Sequence, residues 1–239
     1  MTKPAICVLT FNVMASLRCH LLDRTLASIE KEFGDTCSLH LLDNGSFDGT
    51  ADYVLHEVPS RWEAAAFVVR PELHSPGAGR NRLAEFVQFD DVPWVVMSDD
   101  DMEWGAGAAV VLDHFWKSAP LGVILISCLV EKEFPWSQVR EVIDVGGIKA
   151  LVRDSVPAAA WSFRGKDWEI IGPLKTIHDD EGEDYEACKR VRACGFKVAA
   201  IDLASHIGEG FSQLGNDEAR SVRSMTGRPI DKRKWGLRP

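Results

Sequence analysis

The first half of the chain alternates short apolar runs with amphipathic segments, and this regular order is what most limits its fold. The apolar runs have the length of buried strands, and the segments between them carry apolar residues at helical spacing. The predicted strands are 5–10, 38–43, 64–70 and 94–98. The predicted helices are 17–33, one near 50–57, and 77–87. Strands that alternate with helices predict a parallel sheet with crossover helices.

The pattern becomes mixed after Gly105. Helices are predicted over 106–117 and 181–196, and strands over 121–130, near 138–152, 156–164 and 197–202. We therefore expect an α/β fold with a mostly parallel, Rossmann-like central sheet flanked by helices. A smaller mixed portion should follow it.

Composition and targeting signals indicate a water-soluble protein. Of the 239 residues, 46% are hydrophobic and 26% are charged, which is typical of a globular domain. The longest apolar run, 121–130, is half the roughly 20 residues that a membrane-spanning helix needs. The amino-terminal stretch 1–12 lacks the layout of a signal peptide, so we expect a cytoplasmic protein.

The charge is acidic overall, but it is unevenly distributed. The formal net charge is −9, which argues against nonspecific binding to nucleic acid. Residues 220–239 nevertheless carry seven basic side chains and only one acidic side chain, Asp231. This basic tail is either a solubilising arm or a contact for phosphate or a polyanion.

Polar residues follow the successive strands of the predicted sheet. These are Thr10 with Asn12, Asp43 with Asn44, Arg70, and the run Asp99, Asp100 and Asp101. In an open parallel sheet, ligands bind at the carboxyl ends of the strands. The polar clusters are therefore expected to converge on one site.

The three consecutive aspartates repel one another and are costly to bury, so they need a cation or water. In an extended segment Asp99 and Asp101 would share one side, and Asp100 would face the other. Two carboxylates on one side suit Mg²⁺ or Mn²⁺ bound to a substrate's phosphates. The alternative is a solvated acidic turn.

The stretch 41–50, at the end of the second predicted strand, also has a purely structural alternative: it could be only a turn before a helix, capped by Ser46 or Asp48.

An ordered set of motifs resembles one enzyme family. The motifs are "CVLTFN", "LLDNGSFDGT", "GAGRNRL", "VVMSDDDMEW", "GEDYEACKRVRACGFKV" and "SHIGEG". In this order and spacing they are similar to the inverting family 2 glycosyltransferases of the GT-A fold, from about residue 5 to about 210. The resemblance implies one glycosyltransferase domain over 1–219, with a donor part to about 105 and an acceptor and catalytic part after it, followed by the tail 220–239.

The resemblance also implies which residues bind the donor nucleotide. These are Thr10, Asn12, Asp43, Arg80, Asn81 and Asp99. The expected donor is a nucleotide-diphosphate sugar, with a UDP-sugar favoured.

By the same resemblance, Mn²⁺ or Mg²⁺ would be held by Asp101, Asp99 and His206 and would stabilise the departing diphosphate. His206 could also be merely structural. The general base would be Asp184, with Glu183 beside it; without the resemblance, these two acids would only favour the helix dipole.

The acceptor is left open by the resemblance: a glycan, a small molecule, or a hydroxymethylated DNA base contacted through the basic tail. Two other functions stay open at this point. One is nucleotidyl transfer, which also uses paired aspartates. The other is non-catalytic binding of a nucleotide sugar on the same scaffold.

Overall fold

The computed structural model describes residues 2–14, 18–62, 64–68, 75–120, 122–129, 138–176 and 182–207. Its strands are β1 (Ala5–Thr10), β2 (Ser38–Asp43), β3 (Ala64–Val68), β4 (Val95–Asp99), β5 (Met102–Trp104), β6 (Val123–Leu129), β7 (Val139–Val145), β8 (Ile148–Arg153), β9 (Ala160–Phe163) and β10 (Lys197–His206). Its α-helices are α1 (Cys19–Phe33), α2 (Thr50–Asp52), α3 (Val58–Arg61), α4 (Pro76–Val87), α5 (Ala108–Ser118), α6 (Trp168–Ile171) and α7 (Glu183–Ala193). A π-helical turn, Tyr53–Glu57, joins α2 to α3, and 3₁₀ turns cover Gly34–Thr36, Phe89–Asp91 and Gly165–Asp167.

All described strands belong to one sheet, in the order β3-β2-β1-β4-β9-β6-β10-β8-β7, with β5 paired to β10. Strands β5, β8 and β9 run antiparallel to their neighbours, and the other strands point in one direction. The predicted α/β fold with a mixed, mostly parallel sheet is confirmed. Because β1, β2, β4 and β10 point the same way, their carboxyl ends lie along one edge of the sheet.

In the second half, the Gly-interrupted strands predicted near 138–152 form a hairpin, whose two-residue turn is Gly146 and Gly147, both with positive φ. Two other features depart from the sequence prediction. The short strand β5 was not predicted, and β10 continues to His206 rather than ending at residue 202. Both differences have one cause: β5 pairs antiparallel with the end of β10, a contact that local sequence periodicity does not encode.

The helices pack through the apolar faces that their spacing predicts. In α1 the side chains of Leu22, Leu26, Ile29 and Phe33 are buried, and Gly34 follows with a φ of 36°. Helix α4 begins after Ser75, whose hydroxyl accepts a hydrogen bond from the amide of Ala78, as an N-cap residue does. No described helix is long and apolar enough to span a membrane. The basic tail and Arg70 lie outside the described residues.

Gly165 is a position where the packing leaves no space for a side chain. A Cβ atom at this residue would lie 1.8 Å from the carbonyl oxygen of Phe89 and 2.5 Å from that of Val92. We therefore expect Gly165→Ala to lower the free energy of unfolding by about 3 kcal/mol, because backbone must move to relieve the clash. Denaturant unfolding would measure the loss. Gly122→Ala is the matched control, because no atom lies within 4 Å of a Cβ there.

Candidate active site

The polar residues predicted to converge lie along the carboxyl edge of the sheet, except for Arg70, which is outside the described residues. Thr10 at the end of β1 is paired in register with Asp43 at the end of β2, and Leu9 with Asp99 at the end of β4. His206 ends β10, next to β5. The parallel sheet therefore brings residues far apart in sequence to one edge, as the strand-end pattern predicts.

The loops that follow β1 and β2 are hydrogen-bonded to each other. The amide of Asn12 donates to the hydroxyl of Ser46 at 2.8 Å, and the side-chain oxygen of Asn12 accepts from the amide of Phe47 at 3.2 Å. Asn12 has a positive φ of 52°, which asparagine tolerates better than most residues. Asp43 is fully buried and accepts hydrogen bonds from the amide and hydroxyl of Ser46. Burial raises the pKa of Asp43, and the bonds from Ser46 partly oppose this.

The middle aspartate turns into the protein interior. The extended backbone ends at Asp99, and Asp100 lies in a turn, so strict alternation does not continue through the run. The carboxylate of Asp100 accepts from the Thr10 hydroxyl at 2.8 Å and from Arg18 at 2.5 Å. Burial raises the pKa of Asp100 to about 7, although the Arg18 guanidinium opposes the rise. The Thr25 hydroxyl holds the backbone carbonyl of Asp100 at 2.9 Å.

Asp101 and His206 face each other across the β5 and β10 contact. One oxygen of Asp101, Oδ2, is 3.3 Å from Arg18. The other, Oδ1, is buried, has no hydrogen-bond partner among the described residues, and lies 3.5 Å from Nδ1 of His206. Among these residues, no three acidic, histidine or cysteine side chains are grouped to hold a metal ion. A cation here would need further ligands, as Mg²⁺ and Mn²⁺ obtain from water or substrate phosphates.

Arg18 is a site residue that the sequence prediction missed. It precedes α1, is nearly buried, and contacts both Asp100 and Asp101. The only available signal was indirect: three adjacent carboxylates require a compensating cation, and no sequence spacing says which basic residue supplies it.

We expect Arg18→Met to destabilise the protein by about 3 kcal/mol, because it leaves buried carboxylates without their cation. The loss should be larger above neutral pH than below it. Asp100 has a raised pKa in the folded state, so the folded protein binds a proton there more tightly than the unfolded chain. Stability from this group therefore falls as pH rises towards about 7. Arg18 opposes the rise in the pKa of Asp100, so its removal should raise that pKa further, and the two proteins should diverge as pH increases above about 7. Denaturant unfolding of both proteins below and above this pH measures the effect, and an equal loss at all pH values would contradict it.

Arg80, in the first turns of α4, joins two acidic residues from different elements. Its guanidinium lies 2.7 Å from Asp99 on β4 and 2.8 Å from Glu183 at the start of α7. The Arg80 side chain is only 4% exposed. Burial raises the pKa of Asp99, and Arg80 opposes this rise.

The neighbouring Asn81 is bound to backbone. Its amide nitrogen donates to the carbonyl of Leu174 at 2.9 Å, and its oxygen accepts from the amide of Leu174 at 2.7 Å. Both polar atoms of the Asn81 side chain are therefore hydrogen-bonded to the backbone of Leu174. The nucleotide contacts implied for Arg80 and Asn81 stay predictions.

The two acids at the start of α7 have different surroundings. Glu183 is engaged by Arg80, whereas Asp184 accepts a hydrogen bond from the amide of Tyr185 at 2.7 Å. Burial raises the pKa of Asp184, and the charge of Glu183 raises it further. A carboxyl group with a raised pKa is a better proton acceptor near neutral pH.

Sequence comparison identifies a known family. The model of the family described as "Glycosyl transferase family 2" matches residues 5–132. That range contains β1 to β6 and all three aspartates. The comparison with curated proteins found no match.

Solved structures of glycosyltransferases have a similar fold. The mannosyltransferase PcManGT from Pyrobaculum calidifontis, in complex with GDP-Man and Mn²⁺, aligns with a TM-score of 0.61 and 15% identity over 92% of this chain and 64% of its own. GalNAc-T7 with UDP, GalNAc and Mn²⁺ aligns with a TM-score of 0.61 and 13% identity over 87% of this chain and 44% of its own. S. aureus TarS aligns with a TM-score of 0.59 and 15% identity over 98% of this chain and 41% of its own. The chain spans less than two thirds of each of these proteins, and at such identities the likeness shows the shared GT-A fold.

Proposed function

Because this chain belongs to glycosyl transferase family 2, we propose that it moves a sugar from a nucleotide-diphosphate donor to an acceptor hydroxyl, with inversion and with Mn²⁺ or Mg²⁺. A UDP-sugar is the favoured donor. The observation that carries the proposal is the buried Oδ1 of Asp101, which has no hydrogen-bond partner in the described part of the chain and lies 3.5 Å from Nδ1 of His206.

The chemistry of these two side chains fits a divalent cation. A carboxylate oxygen and an imidazole nitrogen both ligate Mn²⁺, and Mg²⁺ sites keep positions for substrate phosphates. Two neighbouring ligands of an octahedral ion with bonds of about 2.1 Å lie about 3 Å apart, which is close to the observed separation. Bound there, a cation would neutralise the negative charge that develops on the departing diphosphate. Asp101 and His206 would hold it, and Arg18 would orient Asp101.

The donor nucleotide would lie against the two hydrogen-bonded loops after β1 and β2. Thr10 and Asp43 end β1 and β2, Asn12 follows β1, and Asp99 ends the adjacent β4. Asp43 and Asp99 are acceptor groups of the kind that ribose and base hydrogens need. The bonds from Ser46 hold Asp43 in one orientation before any ligand binds.

An inverting transfer needs one base that removes the acceptor proton during attack on the anomeric carbon. Asp184 has the properties for this role, because burial and Glu183 raise its pKa towards working pH. Glu183 is held in an ion pair with Arg80 at 2.8 Å and is therefore less available to take a proton.

A ligand panel tests the donor class. The wild-type protein is heated with UDP, GDP, CDP or TDP, each with and without Mn²⁺. A nucleotide held at about 100 times its dissociation constant should add about 2.7 kcal/mol and raise the melting temperature by several degrees. We expect UDP to do so only with Mn²⁺. No response to any nucleotide would contradict the proposal, and an equal response without metal would remove the cation from it.

Products distinguish the proposal from the two other functions. Glycosyl transfer releases a nucleoside diphosphate, whereas nucleotidyl transfer releases pyrophosphate. A binding protein without activity would release neither. The anomeric configuration of the product, determined by NMR, tests the inversion.

The pH profile tests the role assigned to the pair on α7. Glu183→Gln removes the negative charge beside Asp184, so the pKa of Asp184 should fall towards its ordinary value. Since a base works only when deprotonated, the acidic limb of the kcat/KM profile should move to lower pH. An acidic limb that does not move would show that Asp184 is not the titrating base.

A further inference from the structure

Arg80 is the one basic side chain among the described residues with a salt bridge to both β4 and α7. Its two carboxylate partners, Asp99 and Glu183, come from the donor side and the acceptor side of the site. A guanidinium can serve two carboxylates at once, because its donors are spread over a planar fork. The geometry therefore couples the position of α7 to the end of β4.

The start of α4 packs closely against the sheet. At Gly79, immediately before Arg80, a Cβ atom would lie 2.5 Å from Cδ1 of Leu9 and 2.9 Å from the side chain of Asn44. The backbone of α4 therefore contacts side chains of β1 and of the loop after β2. Asn81 attaches the helix to a second segment through two hydrogen bonds to Leu174. Arg80 consequently extends from a helix that is in contact with its neighbours on both sides of this residue.

Glu183 directly precedes Asp184 at the beginning of α7. A restraint on Glu183 therefore limits where the first turn of α7, and with it the carboxylate of Asp184, can lie. The charge of Arg80 also lowers the pKa of Asp184, opposing Glu183. A base held within a fraction of an ångström of its productive position is worth far more than a mobile one.

We propose that Arg80 is a positioning residue for the catalytic base, acting through its salt bridge to Glu183 rather than through the nucleotide. This inference rests on the proposed function, in which Asp184 is the base. It gives Arg80 a role different from the nucleotide contact that the family resemblance implies. Loss of Arg80 should lower turnover more than it weakens binding of the donor.

A double-variant cycle tests the coupling. We compare kcat of the wild type, Arg80→Met, Glu183→Gln and the double variant, with UDP affinity measured by calorimetry in the presence of Mn²⁺. If Arg80 acts through Glu183, Arg80→Met should lower kcat at least about tenfold, and the double variant should be no worse than the poorer single variant. UDP affinity should change by less than about threefold. Losses that multiply, or a UDP affinity weakened at least about tenfold with kcat unchanged, would overturn the proposal.

Two further measurements keep the test decisive. Arg80→Lys retains the charge but cannot reach both carboxylates in the same way, so it should fold and recover part of kcat.

The acidic limb of the kcat/KM profile for Arg80→Met should move to higher pH, because a positive charge near Asp184 is lost. Arg82→Met is the matched control: Arg82 is on the same helix but half exposed and paired with Glu85, so kcat and pH profile should stay unchanged. An inactive wild type would instead count against the proposed function, and equal effects of the Arg80 and Arg82 variants would overturn the positioning role.

Discussion

Asp184→Asn is expected to lower kcat by about a hundredfold to ten-thousandfold while leaving the affinity for the donor nucleotide within about threefold of wild type. Asparagine has nearly the same size and can still accept the hydrogen bond from the amide of Tyr185. It cannot accept the proton of an acceptor hydroxyl at working pH. The substitution therefore removes the proposed base and keeps the shape of the site.

The measurement is steady-state kinetics with the donor identified by the ligand panel, together with calorimetry for donor affinity. Glu186→Gln is the matched control. Glu186 lies in the same first turn of α7, and this substitution also removes one negative charge. The partner of Glu186, however, is Arg190 at 3.5 Å. If both variants lost the same activity, the effect would come from the helix charge, and Asp184 would not be the base. Full activity of Asp184→Asn would lead to the same conclusion.

Asp101→Asn is expected to abolish the metal-dependent stabilisation by the donor nucleotide and to lower kcat/KM by about a thousandfold. Asparagine is a much weaker ligand for Mn²⁺ than a carboxylate, so the leaving diphosphate would lose most of its charge compensation. The loss should show in thermal unfolding with UDP and Mn²⁺, which does not depend on turnover.

Asp100→Asn separates this effect from the shared contact with Arg18. Both aspartates contact Arg18, but Asp100 is also bonded to Thr10, whereas Asp101 lies 3.5 Å from His206. We expect Asp100→Asn to keep the response to Mn²⁺ and nucleotide, with changed stability of the fold. Equal loss of the metal response in both variants would show that Arg18 and its network, rather than a cation at Asp101, control nucleotide binding.

Several strands and helices follow from local sequence pattern, because the pattern and the burial agree there. The apolar runs at Ala5–Thr10, Ser38–Asp43 and Val95–Asp99 are strands because each is long enough to cross the core and is followed by polar residues. Helix α1 has the apolar spacing that one buried face requires. Both signals are local, so they survive in the sequence alone.

The partnerships within the site could not be predicted in the same way. Nothing in the spacing of residues pairs Arg18 with Asp100, or Arg80 with both Asp99 and Glu183, because those residues are 19 to 103 positions apart. The alternation of side chains along an extended strand predicts that Asp99 and Asp101 lie on the same side of the strand. The backbone turns at Asp100 instead, where the carbonyl is bonded to Thr25 on α1.

The sequence by itself determined the alternation of strands and helices in the first half, the family, and which polar residues stand at those strand ends, because these depend on local periodicity and on motif order. The tertiary structure alone decided which charges compensate one another. Long-range ion pairs form only after the sheet has brought distant segments together. The packing then decides which basic side chain lies close enough to pair with each buried carboxylate. That is why one oxygen of Asp101 lies beside His206, and why Arg80 lies between Asp99 and Glu183.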